Sequence, residues 1–523
     1  MTITATKEKV EKEKKGMNTF MNEMKNDANY KLTENGGVAV SSTKRKVYDL
    51  FAFGGAYRCR SDADCELLFA EAYAEDPELA TKCLFYLGDC RGGQGERRFF
   101  RVCFKWLAQK HPRVAAGLIE YIPTYRRWDD LIYSTIGTPI ENCAFDMIKA
   151  QLNLDIACKT PSLLGKWMPS ENTSSVTTKK AGSKIRQYMG LTHKEYRQIL
   201  SELRSRINIV ERLMSSGRWE EIEFDKIPSK AGLIYRNAFA RRDIIAKKYE
   251  AFAKSEDTKV NADTLFPYEI VAKATEDMGY SYSKTCHYIS NLSDTERAML
   301  EKYWNNQKDY FNGKQSNMLC VVDTSGSMTG SYAAAPINIA ISLGMYCAER
   351  AGGPFKDHYI SFSSCPQLIE IRGTDFVDKV GRIYGTNLCQ NTNLTGTFDM
   401  LLDIADRADV REEDIPETIC VISDMEIDAM SNWGGDWRNP GRKPETEMAK
   451  VRKKWAAHGH KMPKLIYWNV QARDNTILDQ DESVTYVSGA SPVIFEAILT
   501  GKTGWNLCLE KLLSERYEQI KVK

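Results

Sequence analysis

The stretch "MLCVVDTSGSMTG", residues 318–330, decides the fold of the second half of the chain. Its first five residues are apolar, and an acid, spaced serines and two glycines follow at once. A short apolar run that stops at turn-forming residues is typical of a buried strand. We therefore predict a strand that ends at Asp323, with Ser325 and Ser327 in the loop just beyond it.

Three further apolar runs follow the first and predict a sheet. They cover residues 359–364, 418–424 and 464–470, and helical patterns lie between them at 336–350, 393–408 and 444–458. Strands that alternate with helices are typical of a doubly wound parallel sheet. We expect a Rossmann-like α/β domain over residues 313–523.

The preceding part of the chain, residues 45–312, has a helical pattern. The segments "DCELLFAEAYAED" (64–76), "PELATKCLFYLGDCRGG" (77–93) and "GERRFFRVCFKWLAQKHP" (95–112) repeat apolar residues at three- and four-residue spacing. Short amphipathic helices bury their faces only by stacking, so we expect a HEAT-like α-helical repeat that forms a ring or solenoid. We interpret residues 169–184 and 255–266 as polar connections, and residues 1–44 as a charged N-terminal segment.

Composition excludes several classes of protein. The net charge of the 523 residues is only +2, so the whole chain has no general attraction for nucleic acid. The 14 cysteines include no C-x-x-C pair, which favours reduced core thiols over disulfides or zinc and predicts a cytoplasmic protein. No run approaches the roughly 20 apolar residues that span a bilayer, and no secretory leader is recognisable.

Several oxygen-bearing side chains are predicted to meet at one edge of the sheet. Ligands of doubly wound sheets bind beyond the carboxyl ends of the strands, where the strand order reverses. Asp323 and Asp424 each end a predicted strand, and Thr392 precedes the helix predicted between them. With Ser325 and Ser327 they form a donor set made only of oxygen, which suits Mg²⁺ or Mn²⁺ and not zinc. A plain polar cap at the strand end and a metal-free site are the alternatives.

The elements "DTSGS" (323–327) and "VISDMEID" (421–428) resemble the metal-ion-dependent adhesion site of von Willebrand factor A domains. The resemblance covers residues 318–515 and also requires a threonine between these elements. Thr386 in "YGTN" is a rival to Thr392, but an amphipathic helix directly follows Thr392. The resemblance implies these metal ligands: Asp323, Ser325, Ser327, Thr392 and Asp424. It also implies that the ion captures an acidic residue of a partner protein.

A basic segment lies within the helical part of the chain. Residues 179–254 contain 18 Lys and Arg against 9 Asp and Glu, whereas residues 313–523 contain 23 against 28. Aromatic residues are interleaved with these cations, as in proteins that hold single-stranded RNA. A solvated basic face is the alternative. The candidate RNA-binding residues are Lys179, Lys180, Lys184, Arg186, Lys230, Arg236, Arg241, Arg242, Lys247 and Lys248.

Two helical segments, "LLGKWMPSENTSS" (163–175) and "IPSKAGLIYRNAFARRD" (227–243), are similar to the TROVE module of Ro ribonucleoproteins. The segment "LFYLGDCRGGQGERRFF" (84–100) resembles a Ro-related family of unknown function in plants, microbes and viruses. The resemblance implies a helical ring that is closed by an A domain and binds small structured, single-stranded or misfolded RNA.

Two functions are compatible with these features. We expect a non-enzymatic, Ro-like RNA-binding scaffold with a Mg²⁺-binding A domain. The alternative is a protein-interaction module that captures an acidic partner residue through the metal and binds no RNA. Neither a nucleotide-binding loop nor a nucleophile with a paired base is recognisable, so the sequence does not predict an enzyme.

Overall fold

The computed structural model describes residues 29–33, 36, 38–207, 209–276, 278–281, 287–330, 334–362, 366–386, 393–408, 410–426 and 446–522. A short antiparallel hairpin, β1 (Tyr30–Leu32) and β2 (Val38–Val40), comes first. A helical body over residues 46–305 and an α/β domain over residues 318–522 follow. The predicted order of a helical part and a doubly wound part is confirmed.

The helical body consists of short helices, most of them amphipathic. They are α1 (Lys46–Phe53), α2 (Asp62–Glu75), α3 (Pro77–Gly88), α4 (Arg97–Lys110), α5 (Pro112–Ala116), α6 (Ile122–Tyr125), α7 (Trp128–Thr135), α8 (Glu141–Ala157), α9 (Leu164–Trp167), α10 (Val176–Tyr188), α11 (His193–Arg206), α12 (Val210–Ser215), α13 (Ser229–Arg241), α14 (Asp243–Lys254), α15 (Pro267–Thr275) and α16 (Asp294–Asn305). Local sequence determines several of their ends. Ser61 and Asp64 form a capping box at α2, and Asp76 caps α3 directly before Pro77.

The structure differs from two predictions in this body. The expected polar connection 169–184 contains the first half of α10, because Ala181, Gly182 and Ile185 are buried while the polar residues around them face solvent. The helical series before Tyr310 is interrupted by an antiparallel hairpin, β3 (Met278–Ser281) and β4 (His287–Ser290). In the described residues, no helix has the length and apolar composition that a membrane span requires.

The α/β domain contains one six-stranded sheet. Its strands are β5 (Met318–Asp323), β6 (His358–Phe362), β7 (Gln367–Glu370), β8 (Thr418–Ser423), β9 (Lys464–Asn469) and β10 (Thr485–Ser488). The strand order is β10-β9-β8-β5-β6-β7, and β7 alone is antiparallel to its neighbour. The order reverses between β5 and β8, which is the point where doubly wound sheets bind ligands.

The helices of this domain cover the sheet and match the sequence pattern closely. They are α17 (Pro336–Arg350), α18 (Phe376–Thr386), α19 (Leu394–Arg407), α20 (Glu447–Ala457), α21 (Ile494–Ile498) and α22 (Gly504–Leu512). All six residues of β5 are buried, as expected for a central parallel strand.

Both ends of the helical body pack against the α/β domain. At the first end, Ser488 accepts a hydrogen bond from the Gly55 amide at 2.9 Å and donates one to the Phe51 carbonyl at 3.1 Å. At the second end, Trp304 Nε1 donates to Glu349 at 2.6 Å. The two ends also meet directly, since the Arg58 guanidinium lies 5.4 Å from the centre of the Tyr268 ring. The α/β domain therefore closes the helical arc.

Candidate functional site

Asp323 and Asp424 lie beside each other at the carboxyl edge of the sheet. Val322 pairs with Ile422 in the parallel register of β5 and β8, so Asp323 ends one strand and Asp424 directly follows the other. Both carboxylates are fully buried. The fold thus brings together two acids that are about 100 residues apart in the chain.

The two serines of the opening motif lie close to Asp323 and to each other. The Ser325 amide donates to Asp323 Oδ1 at 2.9 Å, and the Ser325 and Ser327 hydroxyls are 3.0 Å apart. Ser327 lies in a single 3₁₀ turn, Gly326–Met328, which follows the strand. Its side chain is partly exposed, whereas Ser325 is buried. The motif therefore forms one compact set of oxygen atoms that is open to solvent at Ser327.

The electrostatics of this set favour a cation. Burial, together with the negative charge of Asp424, raises the pKa of Asp323 to about 7, although hydrogen bonds from Ser423 and Ser325 oppose the shift. A divalent cation would relieve the repulsion between the two carboxylates, and the donors are the hard oxygens that Mg²⁺ and Mn²⁺ prefer. The residues present therefore fit such an ion.

The predicted set also includes a threonine, for which the sequence offers two candidates. Thr392 lies outside the described residues, directly before Asn393, whose side chain caps α19 by accepting the Gly396 amide at 2.8 Å. Its rival Thr386 is the last residue of α18. In the described part of the chain, no group of three or more His, Cys, Asp or Glu side chains is arranged to hold a metal. A site at Asp323 would thus depend on hydroxyl groups as well as carboxylates.

Ser423 supports the site and was not predicted from the sequence. Its hydroxyl donates to Asp323 Oδ2 at 2.5 Å and accepts the Met425 amide at 3.0 Å. Met425 has a positive φ of 66°, so the chain turns sharply just after Asp424. Ser423 thereby fixes the orientation of the Asp323 carboxylate. The parallel pairing of β5 and β8 is the signal that would have identified it.

Arg473 is the second residue that the sequence did not predict. It lies in the loop after β9, where its Nη2 donates to the Ser327 carbonyl at 2.6 Å and its Nε lies 3.6 Å from Asp424 Oδ2. A cation is thus already present beside the candidate metal ligands. The same loop contacts the helical body, because the Tyr57 hydroxyl donates to Asn475 at 2.6 Å.

Five of the ten candidate RNA-binding residues make close polar contacts within the protein. Arg236 is buried, and its guanidinium pairs with Glu276 at 3.0 Å. The other four reach nearby acceptors: Glu141 for Lys184 (2.6 Å), Glu171 for Arg186 (3.0 Å), Glu269 for Lys230 (2.5 Å) and the Ile222 carbonyl for Lys248 (2.7 Å). These contacts join neighbouring segments of the helical body, and Arg236 in particular is only 3% exposed.

The other five candidates are exposed, as Lys184, Lys230 and Lys248 also are. Arg242 stacks on Trp219, with its guanidinium 5.0 Å from the ring centre. The remaining four are Lys179 and Lys180 on α10, Arg241 at the end of α13 and Lys247 on α14. Among the described residues, no carboxylate lies within ion-pair distance of these four. Like Arg242, whose side chain has only its ring contact, these four keep a charge that no carboxylate of the described residues neutralises.

Comparison with known proteins finds matches to both halves of the chain. Two models of protein families match it: Domain of unknown function (DUF2828) over residues 33–126 and 162–311, and Domain of unknown function (DUF7788) over residues 317–518. An uncharacterized protein of Acanthamoeba polyphaga mimivirus is 26% identical over 519 residues, which cover 91% of this chain and 85% of that protein. The crystal structure of the Deinococcus radiodurans Ro (RSR) protein aligns with a TM-score of 0.50 and 12% identity, covering 88% of this chain and 100% of that one. The chain has a Ro-like fold.

The two family matches divide the chain where the α/β domain begins. The first match ends at residue 311 and the second begins at 317, and β5 begins at Met318. The first match also begins at residue 33, inside the β1–β2 hairpin, whose β2 makes two backbone hydrogen bonds between Val40 and Ile477 of the α/β domain. This hairpin, which lies within the predicted charged segment 1–44, therefore contacts the α/β domain.

Proposed function

We propose that this Ro-like protein is a non-enzymatic scaffold that binds RNA on its helical body and a divalent cation in its α/β domain. The observation that carries the RNA proposal is the group of four exposed cations without a carboxylate partner in the described residues, which we name the free-cation set: Lys179, Lys180, Arg241 and Lys247. They lie on a helical arc that is closed by the α/β domain. Small structured, single-stranded or misfolded RNA is the ligand that these features favour.

The free-cation set would contact phosphate groups. Each contact releases counterions from the RNA, so the contribution of these contacts to RNA affinity falls steeply as the salt concentration rises. The Trp219–Arg242 stack lies near the α13–α14 junction and would add a flat surface for a base. The helical body would thus hold the backbone by charge and accept bases by stacking, without reading a long sequence.

The second part of the proposal concerns the site at Asp323. We assign its ligands as Asp323, Ser325, Ser327 and Asp424, together with Thr392 as the sequence suggests. Bound Mg²⁺ or Mn²⁺ would offer an open position to a carboxylate. The partial exposure of Ser327 supports a second function compatible with the first, in which the domain captures an acidic residue of a partner protein.

Fluorescence anisotropy with a labelled single-stranded RNA tests the RNA proposal. We expect the wild type to bind the RNA. In a plot of log affinity against log salt concentration, the slope should become less steep by roughly 2 to 3 when the free-cation set is changed to Gln, because each single-strand contact contributes about 0.7. The matched control changes four exposed lysines to Gln, three in the α/β domain and one just before it: Lys356, Lys461, Lys521 and Lys314. Equal losses in both variants, or no binding by the wild type at low salt, would refute the proposal.

A further inference from the structure

A second group of cations, outside the predicted basic segment, lies where α4 packs on α7. Four arginines converge there on two aspartates, Asp129 and Asp130. The contacts are Arg97 Nε to Asp130 (3.2 Å), Arg101 Nε to Asp130 (2.6 Å), Arg126 Nε to Asp130 (3.2 Å) and Arg127 Nη2 to Asp129 (3.0 Å). Four guanidinium groups thus share two carboxylates, and the group retains an excess of positive charge.

This excess charge is partly enclosed by protein. Burial lowers the pKa of Arg127, and the positive charge of Arg97 adds to the shift although Asp129 opposes it. Burial likewise lowers the pKa of Arg126. An additional anion at this position would be attracted more strongly than at an isolated surface arginine, because the surrounding protein screens the charges less than water does.

Aromatic rings are interleaved with these cations. The Arg127 guanidinium lies 3.9 Å from the centre of the Trp167 ring, and Lys166 Nζ lies 5.4 Å from the same centre. The Arg101 guanidinium lies 4.8 Å from the centre of the Tyr133 ring. The arginine side chains remain reachable, with 43% of Arg97, 26% of Arg101 and 27% of Arg127 exposed. Tyr133, Lys166 and Trp167 are also partly exposed.

The group is continuous with α10. The Tyr133 hydroxyl is hydrogen-bonded to Thr178 Oγ1 at 3.3 Å, and Thr178 directly precedes Lys179 of the free-cation set. A chain of phosphates bound at Lys179 and Lys180 would therefore extend over Tyr133 towards the arginines.

We propose that the guanidinium–indole patch, defined as Arg97, Arg101, Arg127, Tyr133, Lys166 and Trp167, binds single-stranded RNA. Arg97 and Arg101 contact phosphates, and a base stacks on the Trp167–Arg127 pair. Partly exposed rings among cations match planar bases joined by phosphates, whereas an acidic peptide would use the cations and leave the rings uncovered. This inference rests on the proposed function and adds to it the residues that receive bases.

Photocrosslinking to a single-stranded RNA that contains 5-iodouridine tests the inference with the full-length protein. Trypsin would release residues 167–179, "WMPSENTSSVTTK", whose sole aromatic residue is Trp167. We expect this peptide to carry the crosslinked nucleotide. If the wild type binds RNA and the peptide stays unmodified, the inference is wrong while the proposed function stands; if the wild type binds no RNA, the proposed function itself fails.

A variant pair gives a second readout. Trp167→Leu removes the flat ring and keeps every charge, so we expect affinity at least about fivefold weaker with an unchanged salt slope. The control is Trp106→Leu, since Trp106 is partly buried on α4 against Phe69 and Tyr73; this change should leave affinity unchanged. Equal affinities for the two variants would overturn the assignment to RNA bases. So would a competition assay in which polyglutamate displaces the labelled RNA as effectively as unlabelled RNA does.

Discussion

Asp89 of the helical body and Arg516 of the α/β domain form an ion pair, with Arg516 Nη2 2.9 Å from Asp89 Oδ1. Asp89 is fully buried and also accepts the hydroxyl of Tyr517 at 3.1 Å. Residues that are 427 positions apart in the sequence are thus held together at the seam where the α/β domain closes the helical arc.

Loss of this pair should weaken the closed arrangement. Asp89→Ala removes the acceptor of the Arg516 guanidinium, while the Tyr517 hydroxyl keeps the Gly92 carbonyl at 3.1 Å as an acceptor. Because Arg516 is partly exposed, we expect the free energy of unfolding to decrease by about 2 kcal/mol. Urea unfolding followed by circular dichroism measures this. The control, Asp414→Ala, removes a solvent-exposed partner of Arg411 and should cause no measurable change. An unchanged midpoint for Asp89→Ala would show that the pair contributes nothing to closure.

Mg²⁺ should stabilise the protein through the Asp323 site. At a free concentration of 100 times its Kd, we expect the ion to increase the free energy of unfolding by about 2.7 kcal/mol, and EDTA should reverse the effect. Asp424→Asn should abolish it, because the ion then loses a ligand charge. Asp414→Asn, which changes an exposed acid of the same domain, should respond to Mg²⁺ as the wild type does. Equal responses of Asp424→Asn and the wild type would refute the assigned site.

The hydroxyl of Ser423 should tune metal affinity without contacting the ion. Ser423→Ala frees the Asp323 carboxylate to rotate, and we expect Mg²⁺ binding about 10- to 100-fold weaker by calorimetric titration. Ser342→Ala is a matched control, since Ser342 is equally buried in the same domain and donates only to the Ile339 carbonyl. If both changes reduce affinity alike, general loosening of the domain accounts for the effect.

Arg473 should oppose metal binding. Its guanidinium is close to Asp424 and would repel a divalent ion held by that carboxylate. We therefore expect Arg473→Gln to bind Mg²⁺ several-fold more tightly at low salt, with the gain reduced at high salt because the residue is partly exposed. Arg372→Gln, on an exposed part of the same domain, should have no effect. Weaker binding by Arg473→Gln would mean instead that its hydrogen bond to Ser327 is needed to shape the site.

Arg236 should be a stability residue and not an RNA contact. Arg236→Ala removes a buried charge-assisted hydrogen bond to Glu276, so we expect a loss of about 2 kcal/mol in the free energy of unfolding. The folded variant should retain the wild-type salt slope of RNA binding, in contrast to Arg241→Gln. A reduced slope in Arg236→Ala at a temperature where it stays folded would contradict this role.

Some elements were predictable because their residues carry a strong local pattern. The central strands β5, β8 and β9 are buried on both faces and appear as continuous apolar runs. The edge strand β7, "QLIE", has mostly exposed side chains and therefore shows no such run. Similarly, the first half of α10 is rich in Ser, Thr and Lys, so its short buried stripe was hidden among polar residues.

The site likewise contains residues that the sequence predicts and residues that only the fold reveals. Asp323 and Asp424 end apolar strands, and their meeting follows from the parallel order of the sheet. Arg473 has no such signal, because its position beside Ser327 depends on a loop 146 residues further along the chain. The charges of the helical body were equally ambiguous, since composition counts Arg236 and Arg241 alike and only packing distinguishes the buried one from the exposed one.

The sequence by itself determined the two halves of this protein, the strand ends and the oxygen donors "DTSGS" and Asp424, because these depend on local periodicity and on short-range chain chemistry. The tertiary structure alone decided which cations are neutralised, which side chains orient Asp323, and that Asp89 and Arg516 close the arc. Contacts of that kind join residues tens to hundreds of positions apart, and their free energy comes from burial and pairing that exist only once the whole chain has folded.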